Sequence, residues 1–413
     1  MIAYPANILA RHFVLYRIHR GEGAVESWDK SFDRGKSPKK EMELTSMSQL
    51  DVKAAAGRHD EPVTLQEIFQ QPLLWSATVA RVRAACAHLD LPFPLHQARV
   101  LLTGAGSSAY AASAVASAWP RAVAIPTTDL LVDPERYLVD VDAIISLARS
   151  GNSPESAAVV ERVRALRPKI LQLAITCNEE SSLVRSGLDG LIVLDPRTND
   201  RSLVMTGSFS NLVLAGQCLA QPGTAAHTAA LASERAPSLL PVIDEECHRI
   251  AARVRDRIVV LSSSPLLGWG REAGLKILEM TAGHFPVVTE TYLGLRHGPM
   301  SFLKADTLVL CLLSSDPVRR LYEIDLIQEL RAKRLGYSVG IATAEHGSLF
   351  DELIPAVLPE APDDMRTTFE ILIPQLLGYH LSRGLGLNPD NPSPSGVITR
   401  VVQGVTIHAG APS

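Results

Sequence analysis

The stretch RVLLTGAGSSAYAASAVASA, residues 99–118, decides the fold. Its first five residues form a short apolar run, which reads as a buried strand. A turn of small residues follows, Gly104-Ala105-Gly106-Ser107-Ser108, and then an alanine-rich helix over 109–118. Strand, glycine turn and helix in that order open a βαβ unit.

Working outward, the same order recurs. Residues 141–148 (VDAIISLA) read as a second strand, ending on Arg149-Ser150-Gly151-Asn152-Ser153. Pro154 then takes the first helical position, and Glu155 suits the positive end of the helix. Residues 169–176 and 190–194 read as strands and 206–219 as a helix. The grammar then repeats: strand 257–261, the turn Ser262-Ser263-Ser264-Pro265, helix 270–283, strand 307–312, helix 318–335 and strand 337–342. This predicts an α/β chain of two duplicated halves, each a parallel sheet with helices on both faces. An alanine-rich segment, 222–241, connects them. Ahead of the first strand, Leu65, Ile68, Phe69, Leu73 and Leu74 have helical spacing, with Pro72 expected to kink or restart that helix.

The chain has 413 residues, enough for two or three domains. The predicted division is an irregular extension over 1–60, a first half with leading helices over 61–240, and a second half with a C-terminal tail over 241–413. The extension is set apart by Arg11, His12 and Arg17 in its apolar start and by a charged, serine-containing stretch over 27–40. It does not read as a signal peptide, and Met42 and Met47 offer internal starts. At 46% hydrophobic and 20% charged, the chain is not globally disordered. A net charge of −4 argues against a nucleic-acid partner. No apolar run approaches the roughly eighteen residues of a membrane span. Cys86, Cys177, Cys218, Cys247 and Cys311 are scattered, with no metal or disulfide spacing, which fits a reducing cytoplasm.

The turns suggest what is bound. G-A-G-S-S-A at 104–109 matches a dinucleotide fingerprint, with Asp129 placed for a ribose. Yet three serine-rich turns follow strands, and backbone N–H groups with serine hydroxyls at helix N-termini suit a phosphate monoester. The densest chemistry lies in GREAGLKILEMTAGHFPVVTETYLGLRHGP, 270–299. Lys276 and Glu279 share one helical face, His284 follows the helix, and His297 sits in a turn before Gly298-Pro299. A carboxylate and a histidine so placed can move protons; a surface ion pair and a structural histidine are the plain alternatives.

On these residues the chain resembles the SIS (sugar isomerase) family, with two SIS domains in tandem over about residues 64–408. The turns at 104–108 and 150–153 resemble the family's phosphosugar loops. Residues 271–299 resemble the second SIS domain of glucosamine-6-phosphate synthase, with a K-x-x-E helix and an H-G-P turn. The resemblance implies Glu279 as the isomerase base, His297 as a histidine supplied by a neighbouring subunit, and Lys276 as a tuning group. It implies a phosphate held by Gly106, Ser107, Ser108, Ser150 and Ser153. Where the synthase has a C-terminal lysine, this chain has Gln403, with Arg400 three residues earlier. No glutaminase domain accompanies the pair.

The tail GLNPDNPSPSGVITRVVQGVTIH, 386–408, resembles that of one branch of the family, the tagatose-6-phosphate ketose/aldose isomerases and galactosamine-6-phosphate deaminases. The implied activity is deamination of galactosamine 6-phosphate to tagatose 6-phosphate and ammonia, by a C2-to-C1 proton transfer that needs neither metal nor redox cofactor. The implied partners are a phosphorylated amino sugar and a second copy of the chain. Plain aldose–ketose isomerisation of a non-amino sugar phosphate, sugar-phosphate sensing without catalysis, and a nicotinamide-dependent reaction remain as alternatives. Sensors of this family carry a basic helix-turn-helix, which residues 1–60 do not show.

Overall fold

The computed structural model describes residues 61–408, so the readings of the 1–60 extension, Met42 and Met47 included, fall outside the described residues. Among the described residues, ten strands build two sheets of five. The first comprises β1 (Val100–Thr103), β2 (Ala122–Ala124), β3 (Ala143–Ala148), β4 (Leu171–Thr176) and β5 (Gly190–Val193), in the order β2-β1-β3-β4-β5. The second comprises β6 (Ile258–Leu261), β7 (Val287–Glu290), β8 (Leu308–Leu312), β9 (Tyr337–Ala342) and β10 (Glu352–Pro355), in the order β10-β9-β8-β6-β7. Every pairing is parallel. Numbered within each half, both orders are 2-1-3-4-5, so the duplication read from the sequence is a duplication of topology. That order differs from the 3-2-1-4-5-6 arrangement of dinucleotide-binding sheets.

Helices of eight residues or more are α1 (Val63–His88), α2 (Ser107–Ser117), α3 (Pro154–Leu166), α4 (Gly207–Ala220), α5 (Pro222–Ala251), α6 (Leu267–Met280), α7 (Pro317–Ala332), α8 (Asp363–Glu370) and α9 (Leu372–Gly384). Pro72 does not restart the first helix. That helix runs on across it, and α5 continues through Pro237 and Pro241. A proline removes one ladder bond per site. In α1 tertiary contacts outweigh that loss: Pro72 is itself buried, and the neighbouring Gln71 donates to Gln375 Oε1 of α9 at 2.7 Å.

The strands alternate between two cores. Val100 and Leu102 of β1 join one large apolar cluster, whereas Leu101 faces a smaller one. Ile258 and Val260 of β6 join that same large cluster, whereas Val259 and Leu261 face another. The inner faces of both sheets therefore share one continuous core, filled by α1, α2, α4, α5, α6 and α9. Small side chains let these helices approach closely. The decisive place is Gly268 of α6, where a Cβ would stand 2.8 Å from the Cβ of Ala114 in α2. This contact ties the helix after β1 to the helix after β6 and so joins the halves; further along the same helix pair, Glu272 of α6 comes beside Ser107 in the first turn of α2.

Candidate active site

Two elements of the first half and one of the second meet at that junction. The first is the turn between β1 and α2. Gly106 caps α2 with φ of +57°, a conformation that glycine adopts at little cost, and no side chain caps the helix. Ser107 and Ser108 are buried in its first turn, with the Ser108 hydroxyl 3.8 Å from Met205 Sδ. The second is the turn from β3 into α3. Ser150 Oγ accepts from the Asn152 amide at 3.3 Å, and the Ser150 carbonyl accepts from Asn178 Nδ2 at 2.9 Å. Ser153 stands at the N-cap of α3 without using its hydroxyl for a cap bond. The first turns of α2 and α3 thus open at the carboxyl edge of one parallel sheet, beside its β1/β3 switch point, where such sheets bind ligands.

The third element is α6. Lys276 is fully buried, with Nζ hydrogen-bonded to Glu279 Oε2 and 3.3 Å from Glu272 Oε1. Glu279 alone of the three reaches out of the core, its side chain 23% exposed. The alternative of a surface ion pair is therefore excluded. Burial pushes the Glu272 carboxyl up to about 7, with Lys276 opposing and Glu279 adding to the shift; the Ser107 hydroxyl beside it pulls the other way. Lys276 is held above its ordinary value: burial lowers it, but Glu272 and Glu279 outweigh burial. An ammonium between two carboxylates fixes the Glu279 side chain at the mouth of the site.

Arg149, directly after β3, extends this cluster across the junction. It is buried, and burial lowers its pKa, while Asp200 and Glu279 act in the opposite sense. Its guanidinium donates to the carbonyls of Leu203 (2.9 Å) and Arg400 (2.5 Å). Arg400 in turn donates to Asn199 Oδ1 (2.7 Å) and to the Asp200 carbonyl. The C-terminal tail is thereby strapped beside the turn that follows β3. Asp200 accepts from the amides of Thr206, Gly207 and Ser208 at 2.8–3.0 Å and caps α4.

Among the residues singled out from sequence, the structure thus gathers Gly106, Ser107, Ser108, Ser150, Ser153, Lys276 and Glu279 around one junction. It leaves His297 and Gln403 aside. Both are exposed, and among the described residues neither makes a hydrogen bond or ion pair with the Glu279 cluster. His297 follows β7 on a turn held by its own amide, which donates to the Gly294 carbonyl at 2.9 Å. Glu272 and Arg149 were not singled out. Glu272 had a readable signal, since it stands four residues before Lys276 on the same helical face. Arg149 had none, because its carbonyl partners lie more than fifty residues away.

No family model matches the chain. The D-galactosamine-6-phosphate deaminase AgaS of Shewanella sp. (strain ANA-3) is 36% identical over 372 residues, which cover 84% of this chain and 91% of that protein. The chain belongs to the AgaS family. The D-galactosamine-6-phosphate deaminase AgaS of Escherichia coli is 33% identical over 366 residues, covering 84% of this chain and 95% of that one. Among solved structures, tagatose-6-phosphate ketose/aldose isomerase from Escherichia coli superposes with a TM-score of 0.77 at 29% identity, covering 86% of this chain and 98% of that one. The AgaS likeness covers both sheets, so the two-sheet SIS fold expected from the resemblance is the fold found. No helix among the described residues is long and apolar enough to cross a membrane.

Proposed function

We propose that this chain converts D-galactosamine 6-phosphate into D-tagatose 6-phosphate and ammonia. The observation that carries the proposal is the Glu272–Lys276–Glu279 cluster set against the first turn of α2, with one carboxylate free to reach a ligand held by that turn. The names of the AgaS relatives supply the substrate.

In this reading the 6-phosphate sits on the N-termini of α2 and α3, held by the hydroxyls of Ser107, Ser108, Ser150 and Ser153 and by backbone N–H groups beside Gly106. His297, reaching in from a second copy of the chain, assists ring opening. Glu279 takes the C2 proton of the open-chain aldehyde, which the adjacent carbonyl acidifies, leaving an enolamine. The same carboxylic acid returns the proton to C1, and the C2 amine becomes an imine. Water adds to the imine carbon, ammonia leaves, and the ketose remains. Lys276 holds Glu279 in its reacting rotamer, and Gln403 takes the tail position of the synthase lysine. The exposed position of His297 suits donation to a neighbour and supports a dimer or larger assembly. Five cysteines without a disulfide suit the cytoplasm.

Ketose–aldose isomerisation of a non-amino sugar phosphate is the second reading, favoured by the name of the Escherichia coli structure. It shares the proton transfer but has no amine to lose. A sensor that binds without turnover has no use for a buried lysine between two carboxylates, whose desolvation costs several kcal/mol per ion. The deciding experiment is an ammonia-release assay against galactosamine 6-phosphate, glucosamine 6-phosphate and N-acetylgalactosamine 6-phosphate. Release from galactosamine 6-phosphate is expected. Isomerisation of tagatose 6-phosphate without ammonia release from any of the three would overturn the proposal in favour of the second reading.

A further inference from the structure

The second sheet repeats the strand order of the first, and a cavity lies beyond the carboxyl ends of its strands. The cavity measures about 280 Å³. It lies against Leu313, directly after β8, and against Ala342 and Thr343 at the end of β9. The chemistry proposed above does not use it. Its size is close to the lower end of the range for ligand pockets, roughly 300–1,000 Å³, and suits a small molecule.

Two guanidinium groups line it. Arg366 is 1% exposed. Its Nη1 donates to the Leu313 carbonyl at 2.6 Å and to Asp363 Oδ1 at 3.2 Å, while Nε is buried without a hydrogen bond, 3.6 Å from Glu370 Oε1. Arg320, in the first turn of α7, is half-buried. Among the described residues its side chain makes a single hydrogen bond, a long one of 3.4 Å to the Ser314 carbonyl. Two carboxylates also line the cavity, and both have partners already. Glu360 pairs with Arg235 at 2.7 Å, and Glu345 accepts from Thr343 Oγ1 at 3.0 Å. The charge of Arg366 is balanced by Asp363 and Glu370 although its Nε keeps no hydrogen bond, and among the described residues Arg320 has no carboxylate partner, so the cavity retains donors for a further acceptor. Buried donors left unmatched are costly, and a charged acceptor is what relieves them.

We infer that this cavity is a second binding site, for a small anion carrying a phosphate or carboxylate group, with Arg320 and Arg366 as its charged contacts. The site is separate from the phosphate-type turns of the first half, being built on the other sheet.

The test uses the full chain carrying Ser150→Ala and Ser153→Ala, which weakens the first-half turn without touching the second sheet. Inorganic phosphate and malate are titrated separately and followed by calorimetry. Saturable binding of one of them, one per chain, is expected. Adding Arg320→Ala should weaken it roughly tenfold or more, as for the loss of a hydrogen bond to a charged group, and Arg320→Lys should restore part of it. Arg320-dependent binding of phosphate assigns a phosphate ligand, and of malate a carboxylate. Absence of saturable binding for both anions, or binding unchanged by Arg320→Ala, would overturn the inference. Ammonia release is measured in parallel on Arg320→Ala in the otherwise unaltered chain, where it stays at its wild-type rate. Failure of the anion site and failure of the deaminase reading are thus told apart.

Discussion

Gly268 of α6 and Ala114 of α2 meet backbone to backbone, with room for no side chain on the glycine. A Cβ at Gly268 would stand 2.7 Å from the Ala114 amide nitrogen and 2.8 Å from its Cβ. The helix that carries Lys276 and Glu279 is set by this contact against the helix that begins at Ser107. Gly268→Val must push the two apart. Overpacking of this kind costs about 1–3 kcal/mol, so the melting temperature should fall by several degrees. Turnover should fall further than stability alone accounts for, because Glu279 moves relative to the turn at Gly106. A Gly268→Val protein that melts and turns over like the wild type would show that the approach of α2 and α6 does not matter.

Lys276 and Glu279 separate chemistry from architecture. Glu279→Gln keeps the side chain's shape and removes its basicity, so turnover should drop by about 10²–10⁴ while sugar-phosphate binding persists. Lys276→Met is different in kind. It leaves Glu272 and Glu279 facing one another with no cation between them, and breaking a buried pair in this way costs about 3–5 kcal/mol. Chemical denaturation should show that loss. The double variant Lys276→Met/Glu272→Gln should recover part of it, since the buried carboxylate that lost its partner is gone. Equal stability of the single and double variants would show that Glu272 is not charged alongside Lys276.

Much of this cluster was legible in the sequence, for physical reasons that also mark the limit. Central strands such as β3 and β8 are buried along their whole length and read as unbroken apolar runs. Of the four edge strands only β5 was read, and the other three were not. In β2 (AVA), β7 (VVTE) and β10 (ELIP), three or four mostly half-buried residues leave no run and little alternation. Helices α8 and α9 also escaped: α9 is buried on nearly every side and so lacks a clear apolar stripe, whereas α8, DDMRTTFE, buries mostly polar residues and reads as a surface segment. At the site, Lys276 and Glu279 announced themselves by helical spacing. The strap from Arg149 to Arg400 spans 251 residues, and no local pattern encodes it.

The pH dependence of stability should bear the mark of Glu67, a buried carboxyl on α1. Burial and the neighbouring Asp200 push its carboxyl up to about 7, against hydrogen bonds from Ser202 and the Arg201 amide. In the unfolded chain it releases its proton near the ordinary 4.5. Between those values the native state holds a proton that the unfolded state has lost. Stability therefore falls as pH rises from about 4.5 to 7, by up to about 1.4 kcal/mol per pH unit from this group. Glu67→Gln removes that term, since an amide can still accept from Arg201 and donate to Ser202. Denaturation midpoints between pH 5 and pH 8 should fall less steeply in Glu67→Gln than in the wild type. Parallel slopes would mean that Glu67 does not titrate in this window.

The exposed His297 gives the proposed shared site its sharpest test. If each site takes Glu279 from one copy and His297 from another, Glu279→Gln and His297→Ala are each inactive as pure proteins. A dimer holding one chain of each kind then has one site with both residues intact and one with both altered. Random assembly from equal amounts makes half of the dimers mixed, and half of their sites whole. Co-expression of the two variants should therefore restore about a quarter of wild-type ammonia release, as the symmetry of a two-fold assembly requires. Were Glu279 and His297 to act within one chain, every site would lack one of them, and the mixture would be as inactive as its parents. Size-exclusion chromatography of the same samples shows whether the variants still assemble, so that silence of the mixture counts against sharing and not against folding.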